Sequence, residues 1–408
     1  MPVLRNIATL VTPPPPSADA SATNLRRTED AALVWTDDTI EWVGPAADLP
    51  TKYDDASTHD AAGSLVIPGL VDCHTHLAFA GWRAEEFAMR LDGTSYQEIA
   101  KQGGGILDTV RKTRAASENE LYDRAHSFLR DMAQLGVTTV EAKSGYGLTL
   151  ADELKQLRVY RRLQETHPLR IVPTVLGAHT VPPEYEDDRE GYLTLLREEL
   201  IPRVADEGLA EFCDAFVEEG AFQPDEARRL FRTARQRGLT PKLHADQLSD
   251  MGGAALAAEV GAASADHLEH VSEEGIAAMA EAGVVAVSLP LATLYLDEEP
   301  LPAAALHDAG VPLAVATDFN PGTAPSYHLP LALMLACTLQ RMTPAQVLAG
   351  ATRHAAAALD REDEIGSLVP GMQADFVLLD APNLNHWLYH FRPNAAVATY
   401  VRGERWPE

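Results

Sequence analysis

Two histidines one residue apart, His74 and His76, close an apolar run, Ser64-Leu65-Val66-Ile67-Pro68-Gly69-Leu70-Val71. A short β-branched run bounded by Gly and Pro reads as a buried strand. Side chains alternate faces along a strand, so residues i and i+2 point the same way. Two imidazoles converging from one strand end are what a transition metal takes as its first ligands. On its own a His-X-His pair says little, so its meaning depends on what else reaches the same place.

The elements that would position these residues alternate between strand and helix patterns. Apolar strand candidates span residues 65–71, 137–142, 169–176, 211–217, 240–244, 263–268, 284–289 and 311–317, separated by helical patterns such as 117–134 and 151–166. Eight such units predict an α/β protein with a (β/α)8 TIM barrel. No GxGxxG follows an early strand, which disfavours a dinucleotide-binding open sheet. The chain ends read differently. Residues 4–11, a hairpin of 32–35 and 39–43 around Asp37-Asp38, and runs at 375–379 and 397–401 suggest a small β-sandwich assembled from both termini. The expected division is residues 1–64 with 366–408 for this sandwich, and 65–365 for the barrel. Pro13 to Pro16 reads as a short polyproline-like surface loop.

In such barrels chemistry sits at the C-terminal strand ends. Walking those ends gives His74 and His76, then Glu141-Ala142-Lys143-Ser144-Gly145-Tyr146-Gly147, His179, His244 with Asp246 and Gln247, Asp266 with His267, and Asp318-Phe319-Asn320-Pro321-Gly322. Five histidines and an aspartate on one predicted rim point to a metal site. A donor set rich in imidazole suits one divalent zinc or iron, whereas calcium or magnesium would take more oxygen. Cys73 lies on the opposite strand face and reads as core packing.

Bulk properties narrow the partners. The chain of 408 residues carries a formal charge of −27, which repels phosphate backbones and anionic lipid. Nucleic-acid and membrane partners are therefore not expected, and a small-molecule substrate is. No apolar stretch reaches the roughly 18 residues of a membrane span, and no signal-peptide pattern opens the chain. Three scattered cysteines make no disulfide framework, so a cytoplasmic location is the expectation. Lysine occurs only at 52, 101, 112, 143, 155 and 242, an acid-rich and Lys-poor balance that suits high salt.

The order of these residues resembles the amidohydrolase superfamily: His-X-His after strand one, a His after strands five and six, and an Asp after strand eight. That resemblance implies a barrel with a split β-sandwich, and hydrolysis of amide-like bonds at one or two metals. Pro68-Gly69-Leu70-Val71-Asp72-Cys73-His74-Thr75-His76, Gln102-Gly103-Gly104-Gly105-Ile106, Val140-Glu141-Ala142-Lys143-Ser144-Gly145-Tyr146-Gly147, Gly177-Ala178-His179 and Ala316-Thr317-Asp318-Phe319-Asn320-Pro321-Gly322 are most similar to members that open the ring of 4-imidazolone-5-propionate to N-formimidoyl-L-glutamate in histidine degradation. The resemblance implies metal ligands His74, His76, His244 and Asp318. It implies substrate contacts at Arg83, Tyr146, His179, Gln247, Asn320, Gly322 and Thr323, and a homodimer.

His267 and Asp318 are the expected catalytic pair for moving protons. Gln247 stands where some relatives carry Glu, and an amide cannot act as a base. Lys143 lies at the second strand rather than the fourth, where two-metal relatives place a carbamylated lysine, so a single metal is expected. The Gly103-Gly104-Gly105 run reads as a lid or tight turn, since no GK[ST] follows. Two alternative readings are a metal-dependent deaminase acting on a nucleobase-like ring and a barrel without catalysis serving as an assembly subunit.

Overall fold

The computed structural model describes residues 1–15, 21–94, 98 and 104–406; Pro16, Gln102 and Gly103 lie outside the described residues. Two sheets organise the chain. The first is built from β1 (Pro2–Thr12), β2 (Arg26–Thr36), β3 (Thr39–Pro45), β4 (Ser57–Asp60), β5 (Leu65–Pro68), β14 (Phe376–Leu379), β15 (Ala396–Val401) and β16 (Glu404–Arg405). Its order is β16-β15-β14-β5-β1-β2-β3, with β4 alongside β1. The expected hairpin is there: β2 and β3 pair antiparallel around Asp37-Asp38, with Asp37 at φ 53°. β14 pairs with β5 and β15, which joins the two ends of the chain.

This sheet curls over its own core. Trp35 of β2 packs edge-on against Phe376 of β14 at 5.4 Å and Tyr400 of β15 at 6.0 Å, and its Nε1 donates to Gly403 O at 3.2 Å. A flat sheet with strands about 4.8 Å apart would hold β2 and β14 too far apart for that contact.

The second sheet is all parallel, in the order β13-β12-β11-β10-β9-β8-β7-β6. Its strands are β6 (Leu70–Asp72), β7 (Val137–Lys143), β8 (Arg170–Ala178), β9 (Phe212–Val217), β10 (Thr240–Ala245), β11 (Ser264–His267), β12 (Val285–Ser288) and β13 (Leu313–Val315). All eight expected barrel strands are present. Helices cross between them, and the two expected from periodicity are Glu118–Gln134, with a Ser117/Glu120 capping box, and Leu150–Thr166.

One expected strand divides. The run 65–71 is two strands in two sheets, β5 and β6, with the step at Gly69. A Cβ there would lie 2.3 Å from Thr138 Oγ1, so only glycine lets the chain pass this close to β7. The sequence mark of this step is the Pro68-Gly69 dipeptide inside the apolar run.

The barrel closes between its first and last strands just beyond their regular ends. Thr75 bridges Phe319 in parallel; Asp318 N–H donates to His74 O at 3.0 Å, and His76 N–H donates to Phe319 O at 2.8 Å. Below them the buried Asp72 carboxylate accepts from Thr317 N–H at 3.0 Å and Thr317 Oγ1 at 2.7 Å. Burial pushes the Asp72 carboxyl up to about 7. Thr317→Val removes one of its donors inside the core. The expected cost is about 1–3 kcal/mol, read as a lower urea midpoint; an unchanged midpoint would show that this hydroxyl does not hold the seam.

Candidate metal centre

The seam delivers His74, His76 and Asp318 to one point, and β10 brings His244 beside them. Imidazole nitrogens of His74, His76 and His244 lie within 4.8 Å of one another, and the same holds for donor atoms of His74, His267 and Asp318. Asp318 Oδ1 sits 3.4 Å from His74 Nε2 and 3.5 Å from His76 Nε2. All five side chains are buried. The expected ligand set is thus one constellation, with His267 at its edge, its ring 5.9 Å from that of His74 and 5.5 Å from that of His244.

A carboxylate stands behind each of two candidate ligand rings, hydrogen-bonded to His74 and within ion-pair distance of His244. His74 Nδ1 lies 2.6 Å from Asp266 Oδ2, and His244 Nδ1 lies 3.0 Å from Asp214 Oδ2. That leaves Nε2 of both rings facing the centre, buried and with no hydrogen-bond partner among the described residues. A buried nitrogen lone pair without a partner is costly unless a cation completes it. Burial holds His76 down at about 4 and His267 at about 3, so both are neutral imidazoles at pH 7. His74 differs. Burial and Lys143 oppose its charge, but Asp266 and Asp318 raise it to about 9, which marks this position as one that attracts positive charge. Three imidazoles, one carboxylate and this demand fit a divalent transition metal.

Beneath the ligands lies a lattice of buried charge. Lys143 Nζ contacts Glu141 Oε1 at 2.9 Å, Asp214 Oδ2 at 2.7 Å and Asp266 Oδ2 at 3.4 Å. Lys242 Nζ contacts Glu141 Oε2 at 2.8 Å. All of these side chains have zero exposure. Burial works against the Lys143 ammonium, yet Asp214 and Glu141 raise it above its ordinary value. Its three carboxylate contacts give it a counterion role, away from carbamylation, which needs a neutral amine. Asp214 is the functional residue that reading strand ends passed over. Its signal was a lone carboxylate within the buried strand Phe212-Cys213-Asp214-Ala215-Phe216-Val217.

The expected substrate residues lie in the segments that follow the C-terminal ends of β6, β7, β8, β10 and β13. Arg83 precedes helix Ala84–Leu91, is 9% exposed, and lies against Gly322, where a Cβ would fall 1.1 Å from its Nη2. Its Nε is buried without a partner, and no carboxylate pairs with the guanidinium among the described residues. The Tyr146 ring sits 5.8 Å from His76 and 5.4 Å from His179, and His179 stacks on His76 at 5.3 Å. Asn320 is committed to its own loop: Oδ1 accepts from Gly322 N–H and Thr323 N–H, both at 2.8 Å, and Nδ2 donates to Asp318 O at 2.7 Å. Gln247 is half-buried in the turn after β10, and its amide has no partner among the described residues. Cys73 is fully buried in the main core. Of the glycine run, Gly105 (φ 70°) opens helix Ile106–Ala115, its N–H held by Glu86 Oε1 at 2.7 Å.

Glu269, which the sequence reading did not single out, faces His267 at 3.8 Å through Oε2, while its Oε1 accepts from Thr293 Oγ1 at 2.8 Å. Burial pushes its carboxyl up to about 7.

Comparison with known proteins agrees with this architecture. The model of the amidohydrolase family matches residues 65–405. The imidazolonepropionase of Cupriavidus taiwanensis is 50% identical over 394 residues, covering 96% of this chain and 93% of that protein. The imidazolonepropionase of Geobacillus thermodenitrificans is 51% identical over 356 residues, covering 86% and 84%. Among solved structures, an adenosine deaminase from Xanthomonas campestris with bound zinc superposes with TM-score 0.75 at 20% identity, covering 99% of this chain and 92% of that one. Guanine deaminase of E. coli gives TM-score 0.70 at 18% identity, with both chains fully covered. These two share the fold.

The charge lattice makes a stability prediction. Lys143→Met strips three buried carboxylates of a shared counterion and is expected to destabilise the fold by about 3–5 kcal/mol. Denaturant unfolding measures this, and a loss below 1 kcal/mol would mean the lattice is not held by that ammonium.

Proposed function

We propose that this chain, which belongs to the imidazolonepropionase branch of the amidohydrolase family, opens the ring of 4-imidazolone-5-propionate to N-formimidoyl-L-glutamate in histidine degradation. The observation that carries the substrate assignment is Arg83. A strongly acidic chain keeps the Arg83 guanidinium, on the segment that follows β6 and against Gly322 of the loop that carries Asp318, without a carboxylate among the described residues. A guanidinium so placed suits a substrate carboxylate in a two-pronged pair. A neutral nucleobase offers it nothing, which sets the deaminase reading aside, and four converging donors speak against a barrel without catalysis.

His74, His76, His244 and Asp318 would hold one zinc or ferrous ion. Bound there, the dication supplies a water nucleophile at neutral pH and polarises the ring carbonyl. The remaining work falls to the chain. Ring opening adds hydroxyl to the carbonyl carbon and breaks its bond to nitrogen, which leaves with a proton. Asp318 Oδ1, within reach of both His74 and His76, is placed to accept the proton of the attacking water. His267, neutral and at the edge of the constellation, is placed to polarise the carbonyl or to pass a proton on. Tyr146 and His179 flank the ring, and the Gln247 amide can hold a ring polar group but cannot serve as base. Asn320 acts through its loop, keeping Gly322 against Arg83.

The direct test incubates zinc- or iron-loaded protein with freshly made 4-imidazolone-5-propionate and follows loss of its ultraviolet absorbance; a stable spectrum would reject the reading. Arg83→Ala should raise KM by the equivalent of about 1.5–3 kcal/mol with a smaller change in kcat. Gly322→Ala, whose methyl displaces the guanidinium, should move KM in the same direction.

A further inference from the structure

The helix Leu150–Thr166 has a polar face that is buried. Glu153, Gln156 and Tyr160, spaced to share one side of the helix, are each fully buried. Together they take up the backbone of the loop that follows β7. Glu153 Oε1 accepts from Gly147 N–H and Leu148 N–H, both at 2.8 Å, and Oε2 from Gly145 N–H at 3.2 Å. Gln156 Oε1 accepts from Tyr146 N–H at 3.2 Å, and its Nε2 donates to Ala78 O at 2.6 Å. Tyr160 Oη donates to Lys143 O at 2.7 Å and accepts from Ala78 N–H at 3.1 Å. Every amide from 145 to 148 is therefore held by a side chain of this one helix, which also ties that loop to the segment after His76.

The glycines of Lys143-Ser144-Gly145-Tyr146-Gly147 follow from this geometry. Gly145 has φ 106°, and a Cβ at Gly147 would lie 2.4 Å from the backbone nitrogen of Glu153. The loop must lie directly on the helix for the clamp to form.

The clamp reaches a second residue. Gly145 O lies 3.0 Å from His179 Nδ1. A carbonyl only accepts, so Nδ1 carries the proton and Nε2 is left as an acceptor.

We propose that Glu153 is a positioning residue for the site: by clamping residues 145–148 it aims the Tyr146 ring and fixes His179 with Nε2 bare, so that the pocket selects a ring presenting an N–H donor. This deepens the functional reading above and rests on it for the substrate. The ammonium lattice and the ligand set do not touch Glu153, so its loss should leave metal content unchanged.

The test is a cycle. Glu153→Gln replaces an acceptor by an amide facing three N–H donors, and should lower kcat/KM roughly 10- to 100-fold, mainly through KM, at unchanged bound metal. In a Tyr146→Ala background the same change should cost clearly less, because part of its target is gone. Equal factors in the two backgrounds, or a Glu153→Gln variant matching the parent, would overturn the proposal. If Glu153→Gln does not fold, Gln156→Leu removes the acceptor of Tyr146 N–H together with the donor to Ala78 O, and should shift KM in the same direction by a smaller factor; no shift counts against the clamp.

An activity-free readout separates the clamp from the substrate assignment. ¹⁵N spectra of histidine-labelled wild-type protein, with His179 assigned by its loss in His179→Gln, should show a proton on Nδ1. A proton on Nε2 would sink the clamp even if the ring is hydrolysed. A bare Nε2 in a protein that leaves 4-imidazolone-5-propionate intact would sink the substrate while sparing the clamp.

Discussion

The two backbone hydrogen bonds that close the barrel are the constraint on which the site depends. A parallel sheet of eight strands must meet itself, and here it does so past the regular ends of β6 and β13. Asp318 N–H reaches His74 O, and His76 N–H reaches Phe319 O. Three of these four backbone groups belong to candidate metal ligands, His74, His76 and Asp318, and the fourth is the carbonyl of Phe319 between them. The geometry of the proposed metal site and barrel closure are then one event: a slip of β6 by one residue would turn His74 and His76 to the other face. Asp72 and Thr317, one rung lower, secure the same register with a side chain.

Closure alone would aim imidazoles into a cavity; the lattice beneath decides which nitrogen they present. Asp266 and Asp214 stand behind His74 and His244, and both carboxylates rest on the Lys143 ammonium. Three carboxylates (Glu141, Asp214, Asp266) meet two ammoniums (Lys143, Lys242), and Asp318 adds a further negative charge on the ligand side. Counted as ionised, these groups carry two positive and four negative charges, a deficit that one dication balances. Burying so many charges is unfavourable unless each is paired. The arrangement therefore ties stability to the cation, since binding to the folded state alone adds to folding free energy.

Much of this was legible along the chain because strands have period two. Lys242 and His244, Glu141 and Lys143, and Ser264 and Asp266 each share a face, so a polar residue two before a polar strand-end residue reads as lying under the rim. Asp214 falls outside this rule, because the residue that shares its face at the end of β9 is the apolar Phe216. Glu269 could not be reached this way. His267 and Leu268 both adopt positive φ, 82° and 71°, so alternation fails before Glu269 is met. Glu153 and Gln156 were hidden for another reason. On a helix, polar residues read as solvent-facing, and only the course of the loop after β7 shows that this face is buried. The step at Gly69 is marked only by Pro68-Gly69, and the apolar residues on either side, Leu65-Val66-Ile67 and Leu70-Val71, read together as one strand.

The mouth also concentrates unfavourable backbone. Asp246 (φ 49°), His267 (82°), Leu268 (71°) and Asp318 (54°) lie in or just beyond the C-terminal ends of β10, β11 and β13, and none is glycine. Sparsely populated conformations of this kind cost about 1–3 kcal/mol each. Asp246 offsets its share locally, accepting from Met251, Gly253 and Ala254 N–H at 3.0, 2.8 and 2.9 Å. His267 and Asp318 have no such local return. Asp318 is held by the closing seam, and the His267 backbone continues the β10–β11 ladder opposite Ala245. The fold thus spends part of its closure energy on turning two side chains toward one point. Glycine at either position would relax the backbone and remove the group that the turn exists to present.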